Sequence, residues 1–211
     1  MTHTTNYTIV DVETTGGSPF WNRVIEIGIL RVEHGEIVAK YQTLLNPERE
    51  LPEFITKLTG ITDQDLSSAP KFNEVKDEVL ELFEDSVFVA HNVGFDYEFI
   101  RQEFSRVGYG FDTQQLCTVR LSRVLFPEEK HHNLGAIIER FDFSPEKRHR
   151  AFDDASVLWQ FMQTLETQIE PDVLKKAFER TIKKISPKLQ RKMGAVSPIE
   201  YVPLNDDEYH E

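Results

Sequence analysis

Between residues 8 and 45 the apolar positions follow the two-residue period of a strand. TIVDVET alternates, VIEIGILRVE is β-branched and apolar, HGE supplies a turn, and IVAKYQTLL resumes the pattern. The spacing predicts a three-stranded antiparallel meander closed by Asn46-Pro47. The period then lengthens to that of a helix: LPEFITKLTGI and NEVKDEVLELFE are expected helices, the second with Asn73 as its N-cap. SVFVAHN reads as a short buried strand. It runs into the helix FDYEFIRQEFSRVG, whose Phe95, Phe99, Ile100 and Phe104 recur at helical spacing and whose Gly108 suits a C-terminal cap. LCTVRLSRVLFP ends at a proline stop, NLGAIIERF is a short amphipathic helix, and RAFDDASVLWQFMQTLETQI is a long one.

This order describes a mixed sheet flanked by helices, an α/β layered domain of ribonuclease-H-like architecture. Beyond Pro171 the composition changes. VLKKAFERTIKKISPKLQRK is basic and amphipathic, and SPIEYVPLNDDEYHE is polar, proline-containing and acidic. The expected division is a flexible N-terminus over 1–7, a main domain over 8–168, and a basic helical extension with an acidic tail over 169–211. Eight basic residues (Lys175, Lys176, Arg180, Lys183, Lys184, Lys188, Arg191 and Lys192) fall within the tail, beside an apolar stripe of Leu174, Phe178, Ile182 and Ile185.

Length and composition allow one domain with a proper core, since the chain has 211 residues of which 39% are hydrophobic. No run approaches the roughly 20 apolar residues of a membrane helix, and MTHTTNYT lacks the features of a secretory signal. The expectation is a cytoplasmic protein with no membrane partner. Cys117, the only cysteine, excludes an internal disulfide and a thiolate metal cluster. A net charge of -12 counts against nucleic-acid binding, where phosphates are met by Lys and Arg. The acidity, however, is concentrated before Gln168, and a domain that holds divalent cations needs clustered carboxylates.

Asp11 and Glu13 lie two apart on an apolar strand, so both carboxylates share one face with Ile9. Buried side by side they repel each other and lose hydration, for which a divalent cation is the natural compensation. A pair of strand-end carboxylates bonded to backbone or solvent is the plainer reading. Asp96 opens a helix, where a carboxylate also serves as an ordinary cap. Asp153 and Asp154 lie in the first turn of the long helix and are equivalent on physical grounds. His149, in the basic loop KRHR, has the plain reading of a solvated surface residue. Together the carboxylates Asp11, Glu13, Asp96 and Asp154 come from the ends of separate elements that can converge at one sheet edge. Four can hold two cations about 4 Å apart, which would activate a water and neutralise charge in phosphodiester cleavage. A neutral histidine nearby could take the water's proton. His91 reads as a buried or backbone-bonded histidine, and His131 and His132 as surface. Phe20 and Trp21 suit stacking on a base or loop packing equally.

The sequence resembles the DnaQ-like exonucleases in their histidine-containing DEDD branch, which includes proofreading subunits of bacterial replicative polymerases. The resemblance rests on IVDVETTG at 9–16, VIEIG at 24–28, LTGIT at 58–62, HNVGFD at 91–96 and HRAFDDA at 149–155, in family order. Matching position by position selects Asp11, Glu13, Asp96, His149 and Asp154, and leaves Asp153 as the variable neighbour. It implies a ribonuclease-H-like fold, two Mg2+ or Mn2+ ions, and 3′ to 5′ hydrolysis that releases nucleoside monophosphates. By the same analogy Asp11 bridges both ions, Glu13 and Asp154 complete one site, Asp96 serves the other, and His149 is the general base. Thr14, Thr15 and Gly16 line the pocket of the terminal nucleotide. The chain departs from the family at Cys117-Thr118, where many members have an Asp before the Thr.

The implied partner is the single-stranded 3′ end of DNA, with RNA or short oligonucleotides as the alternative within enzymes. A polymerase or a second nuclease is a further expected partner, because the domain would also serve inside a larger repair or replication protein. A non-catalytic interaction domain is the alternative outside enzymes, and the presence of all five residues argues against it.

Overall fold

The computed structural model describes residues 5–183. Along them run β1 (Tyr7–Thr14), β2 (Val24–Glu33), β3 (Glu36–Leu44), α1 (Glu53–Thr59), α2 (Asp63–Ser67), α3 (Phe72–Glu81) and β4 (Val87–Ala90). There follow α4 (Gly94–Arg106), β5 (Gln114–Cys117), α5 (Thr118–Leu125), α6 (Leu134–Phe141), α7 (Ala151–Gln168), α8 (Pro171–Thr181) and β6 (Ile182–Lys183). The strands form one sheet in the order β3-β2-β1-β4-β5-β6. β3, β2 and β1 are the expected antiparallel meander, β4 and β5 extend it in parallel with β1, and β6 returns antiparallel.

Helices cover both faces, as a sheet with apolar residues at alternate and successive positions requires. Tyr7, Ile9, Leu30 and Val32 pack with α7 and α8, whereas Val10, Val12, Ile27 and Ile29 pack with α3 and α4. The period of two therefore continues the row of Tyr7 and Ile9 into Asp11 and Glu13, on the side of α7. Because β1 and β4 are parallel, the end of β1 and the HNVGFD segment that follows β4 meet at the same sheet edge.

Several boundaries differ from those read in the sequence. α3 starts one residue before Asn73, because Phe72 turns inward against Phe104 at a ring separation of 5.0 Å. The Glu74 carboxylate accepts the Lys71 N–H at 2.7 Å, so Lys71 occupies the N-cap. The helix expected through Ile61 stops at Thr59, where Gly60 turns left-handed at φ 75°. A separate short helix, α2, follows, and its N-cap Thr62 and Asp65 bond reciprocally. Gly108, as expected, adopts a positive φ after α4. Tyr7, assigned to a flexible N-terminus, is the first residue of β1 and is buried.

The composition changes near residue 170, but the packing does not break there. Leu174, Ala177 and Phe178 of α8 are buried in the same cluster as Tyr7, Leu116 and Leu165, and β6 pairs with β5. The apolar stripe of the extension lies on the core and leaves Lys175, Lys176, Arg180 and Lys183 exposed. The remaining basic residues of the tail, with Ile185 and the acidic stretch, lie outside the described residues. Since Phe178 is almost fully buried, Phe178→Ala should lower stability by about 3 kcal/mol. Urea unfolding checks this, and an unchanged midpoint would show that α8 adds nothing to the cooperative unit.

Candidate active site

The geometry unites the five residues selected by the sequence motifs. Asp11 and Glu13 stand on β1, opposite Gly28 and Glu26 of β2 in the ladder. Asp96, in the first turn of α4, is buried and accepts the Val12 N–H at 3.2 Å, which ties the start of that helix to the strand between the two acids. Asp154, in the first turn of α7, is buried as well. Its two oxygens accept Arg148 Nε at 3.0 Å and the His149 N–H at 3.3 Å. Donor atoms of Glu13, His149 and Asp154 lie within 4.8 Å of one another. Asp153 is partly exposed, so the structure separates the two neighbours that physical reasoning left equal. His149 is exposed and has a left-handed backbone at φ 59°.

The carboxylates sit in an environment that disfavours their charge. Burial holds Asp11 well above the usual carboxylate range, and Asp96, Asp154, Glu13 and Glu26 add repulsion. Burial likewise pushes Asp96 up to about 8, against the opposing hydrogen bonds from its own N–H and that of Val12. Glu13 rises to about 7 through burial, then through Asp154 and Glu26, with Arg150 opposing. Asp154 is raised by burial, with Arg148 and His149 opposing. Hard oxygen donors gathered in this way suit Mg2+ or Mn2+, whose charge would replace the protons that burial otherwise favours.

A family model for exonucleases, RNase_T, matches residues 8–162. The chain belongs to this exonuclease family. It is 36% identical over 153 residues to the 3′-5′ exonuclease DinG of Bacillus subtilis, covering 72% of this chain and 16% of that protein. It is 36% identical over 174 residues to a PolC-type DNA polymerase III of Bacillus cereus, covering 82% of this chain and 12% of the relative. The chain thus spans under a fifth of these relatives' own length. Its fold superposes on E. coli exonuclease I in complex with a dA16 oligonucleotide with a TM-score of 0.72, at 18% identity, covering 82% of this chain and 42% of the other.

What places the exonuclease motifs against one another includes residues that the sequence reading did not single out. Glu26 is fully buried and accepts Arg150 Nε at 3.0 Å and Nη2 at 2.6 Å, as well as the Ala151 N–H at 3.2 Å and Gln42 Nε2 at 2.9 Å. It pins the first turn of α7 to β2. Beside it, a β-carbon on Gly28 would stand 2.3 Å from the Phe152 nitrogen, so only glycine lets the helix come this close. Both residues lie in the VIEIG motif. A charge at an inward position of an apolar strand and a glycine in its middle were the available signals.

The loop after β1 is held with equal care. Thr15 donates its N–H to Arg23 O at 2.9 Å and its hydroxyl to Asn22 Oδ1 at 3.2 Å, and Thr14 Oγ1 donates to Gly16 O at 2.8 Å. A β-carbon on Gly16 would lie 2.7 Å from Asn22 Oδ1. The hydroxyls of the expected nucleotide pocket thus shape the loop itself. Arg23 is anchored to the buried Glu103 at 2.9 Å. His91 bonds Thr118 Oγ1 through Nδ1 at 2.9 Å, and burial lowers it to about 4. His132 bonds Ser122 Oγ at 2.8 Å and Glu129 O at 3.1 Å, as a brace for its loop, while His131 is exposed.

The raised carboxylates make the chelated protein sensitive to pH. Their folded values lie above the unfolded ones near 4, so folding takes up protons, and stability that is fully present below about pH 4 is lost as pH rises through about 7 and 8. In EDTA the melting temperature should fall between about pH 6 and pH 8.5 by calorimetry, Mn2+ should restore it, and Asp96→Asn should flatten the slope. A rise over that interval would contradict the burial of these charges.

Proposed function

We propose that this chain removes nucleoside monophosphates one at a time from the 3′ end of a DNA strand, using two divalent cations. The observation that carries the reading is the convergence of Asp11, Glu13, Asp96 and Asp154 from three separate elements. Burial raises all four carboxylates there, repulsion adds to it at Asp11, Glu13 and Asp96, and both favour a bound cation. Asp11 would lie between the two ions, Glu13 and Asp154 would complete one site, and Asp96 would serve the other. When bound, the ions supply an activated water and neutralise charge on the attacking and leaving oxygens. His149, exposed beside Glu13 and Asp154, would take the proton of the attacking water as general base. Thr14, Thr15 and Gly16 would line the terminal nucleotide through the backbone of their loop. Glu26 and Arg150 would keep Asp154 and His149 in register with β1.

DNA is favoured over RNA as substrate by the DNA polymerase III relative. The exonuclease domain would work in the cytoplasm, beside a polymerase or a second nuclease. Incubation with a 5′-labelled single strand and Mg2+ or Mn2+ should give a descending ladder that EDTA abolishes. Cutting of a closed circle at equal rate would overturn the exonuclease reading, and faster removal from RNA would reassign the substrate.

Single substitutions separate the roles. Asp11→Ala, Glu13→Ala, Asp96→Ala and Asp154→Ala should each nearly abolish turnover, whereas Asp153→Ala should keep most of it. His149→Ala should slow hydrolysis by about 100-fold with Mn2+ affinity largely intact in calorimetric titration. Loss of the metal in that variant would make His149 a ligand instead.

A further inference from the structure

Trp21 is the most exposed large apolar side chain among the described residues, at 71%, and Phe20 beside it is 64% exposed. Their rings meet edge to face, with centroids 4.7 Å apart and planes at 83°, so the edge of one lies against a face of the other and the two are not stacked face to face. The loop that carries them leaves β1 directly after Thr14, and β2 resumes at Val24. Both rings therefore belong to the sheet edge at which Asp11 and Glu13 stand.

The backbone beneath the rings is fixed at many points. Arg106 Nη2 donates to the carbonyls of Pro19 at 2.7 Å, Phe20 at 3.0 Å and Asn22 at 3.1 Å. The Asn22 N–H donates to Ser18 O at 2.8 Å, and Arg49 Nη1 donates to Trp21 O. Arg106 and Arg23 share the buried Glu103. Such anchoring supports a pair of rings that cover none of the core. A platform held in place in advance loses little freedom when a flat partner arrives.

We propose that Trp21, braced by Phe20, stacks on an unpaired nucleobase of the strand being degraded, next to the terminal nucleotide. This rests on the exonuclease reading. An aromatic face is sequence-tolerant, as an enzyme that shortens any strand needs, because every base has a π-face. The guanidinium groups of Arg49 and Arg106 hold the loop on the side of its backbone, and with Arg23, which is paired with Glu103, they bring positive charge to this corner of an otherwise acidic protein. Glu48, the nearby acid, is paired with Lys71 and with Arg23. The proposed contact concerns the two exposed rings alone. Their area is far smaller than the roughly 800 Å2 per partner of a stable protein interface, but it matches one base.

The two tryptophans make the test direct, since Trp159 is buried and Trp21 is not. In an Asp11→Asn background, titration with a dT oligonucleotide should quench the emission of Trp21, and Trp21→Ala should remove that change. By anisotropy of a labelled oligonucleotide, Trp21→Ala should weaken binding about tenfold, with Trp21→Phe recovering most of it. An oligonucleotide with one abasic residue near its 3′ end should bind the protein with Trp21 about tenfold more weakly, and the Trp21→Ala variant with no further loss. Equal binding by both proteins, or losses that simply add, would overturn the proposal. Self-association that Trp21→Ala abolishes, without a change in oligonucleotide affinity, would overturn it in favour of a second copy of the chain. The ladder assay on the unsubstituted protein tests the exonuclease reading separately, so the two failures are distinguishable.

Discussion

At Gly28 the backbone of α7 comes so near the sheet that a β-carbon would stand 2.3 Å from the Phe152 nitrogen. Because Gly28 faces Asp11 across the ladder, this contact sets the depth at which the first turn of α7 sits over the acids of β1. A side chain here would lift the helix start, carrying Asp154 and His149 away from Glu13. Glu26 then fixes the turn laterally, through two bonds to Arg150 and one to the Ala151 N–H. One position permits the approach and the next inward position of the strand locks it.

The buried acids of the described residues differ in how far their charge is met within the chain. Glu26 and Glu103 are each met by a guanidinium and by backbone N–H groups, so their charges are compensated within the chain. Asp11 has three carboxylates and Glu26 as its electrostatic neighbours, and burial acts on it in the same direction. Of the motif acids, Asp154 is met by Arg148 and Arg150 opposes the rise of Glu13, whereas the charges that act on Asp11 are carboxylates throughout. The pairs of Glu26 and Glu103 tie elements of the frame together, while the crowding of carboxylates around Asp11 is what a bound cation would relieve.

The fold was legible where periodicity was strong. The meander of β1, β2 and β3 and the long α7 follow directly from alternation and helical spacing. α2 and β6 were missed because each is short, and their periodic signal is weaker than that of the turns around them. At α8 the apolar stripe and the outward lysines were legible, but not the surface that the stripe covers: Leu174, Ala177 and Phe178 join the core, and the helix period says nothing about its partner. At the site, the motifs named the acids but not their supports. The motif register selected Asp154 over Asp153, and tertiary contact gives the physical reason: Asp154 is buried beside the β1 acids and Asp153 lies at the rim. Glu26 and Gly28 were in view inside VIEIG, yet their use depends on a helix that begins more than a hundred residues later.

The backbone of His149 is left-handed, a conformation that disfavours side chains with a β-carbon by about 1 kcal/mol relative to glycine. Stability alone would place glycine or asparagine there, as at any tight bend. A descendant of this chain that had ceased to need the imidazole would gain by losing it, with no contact in the core to oppose the change. Under the proposed role as general base, histidine would persist at this position against that cost only while the ring is used, and drift towards glycine would mark a lineage that had given up the chemistry.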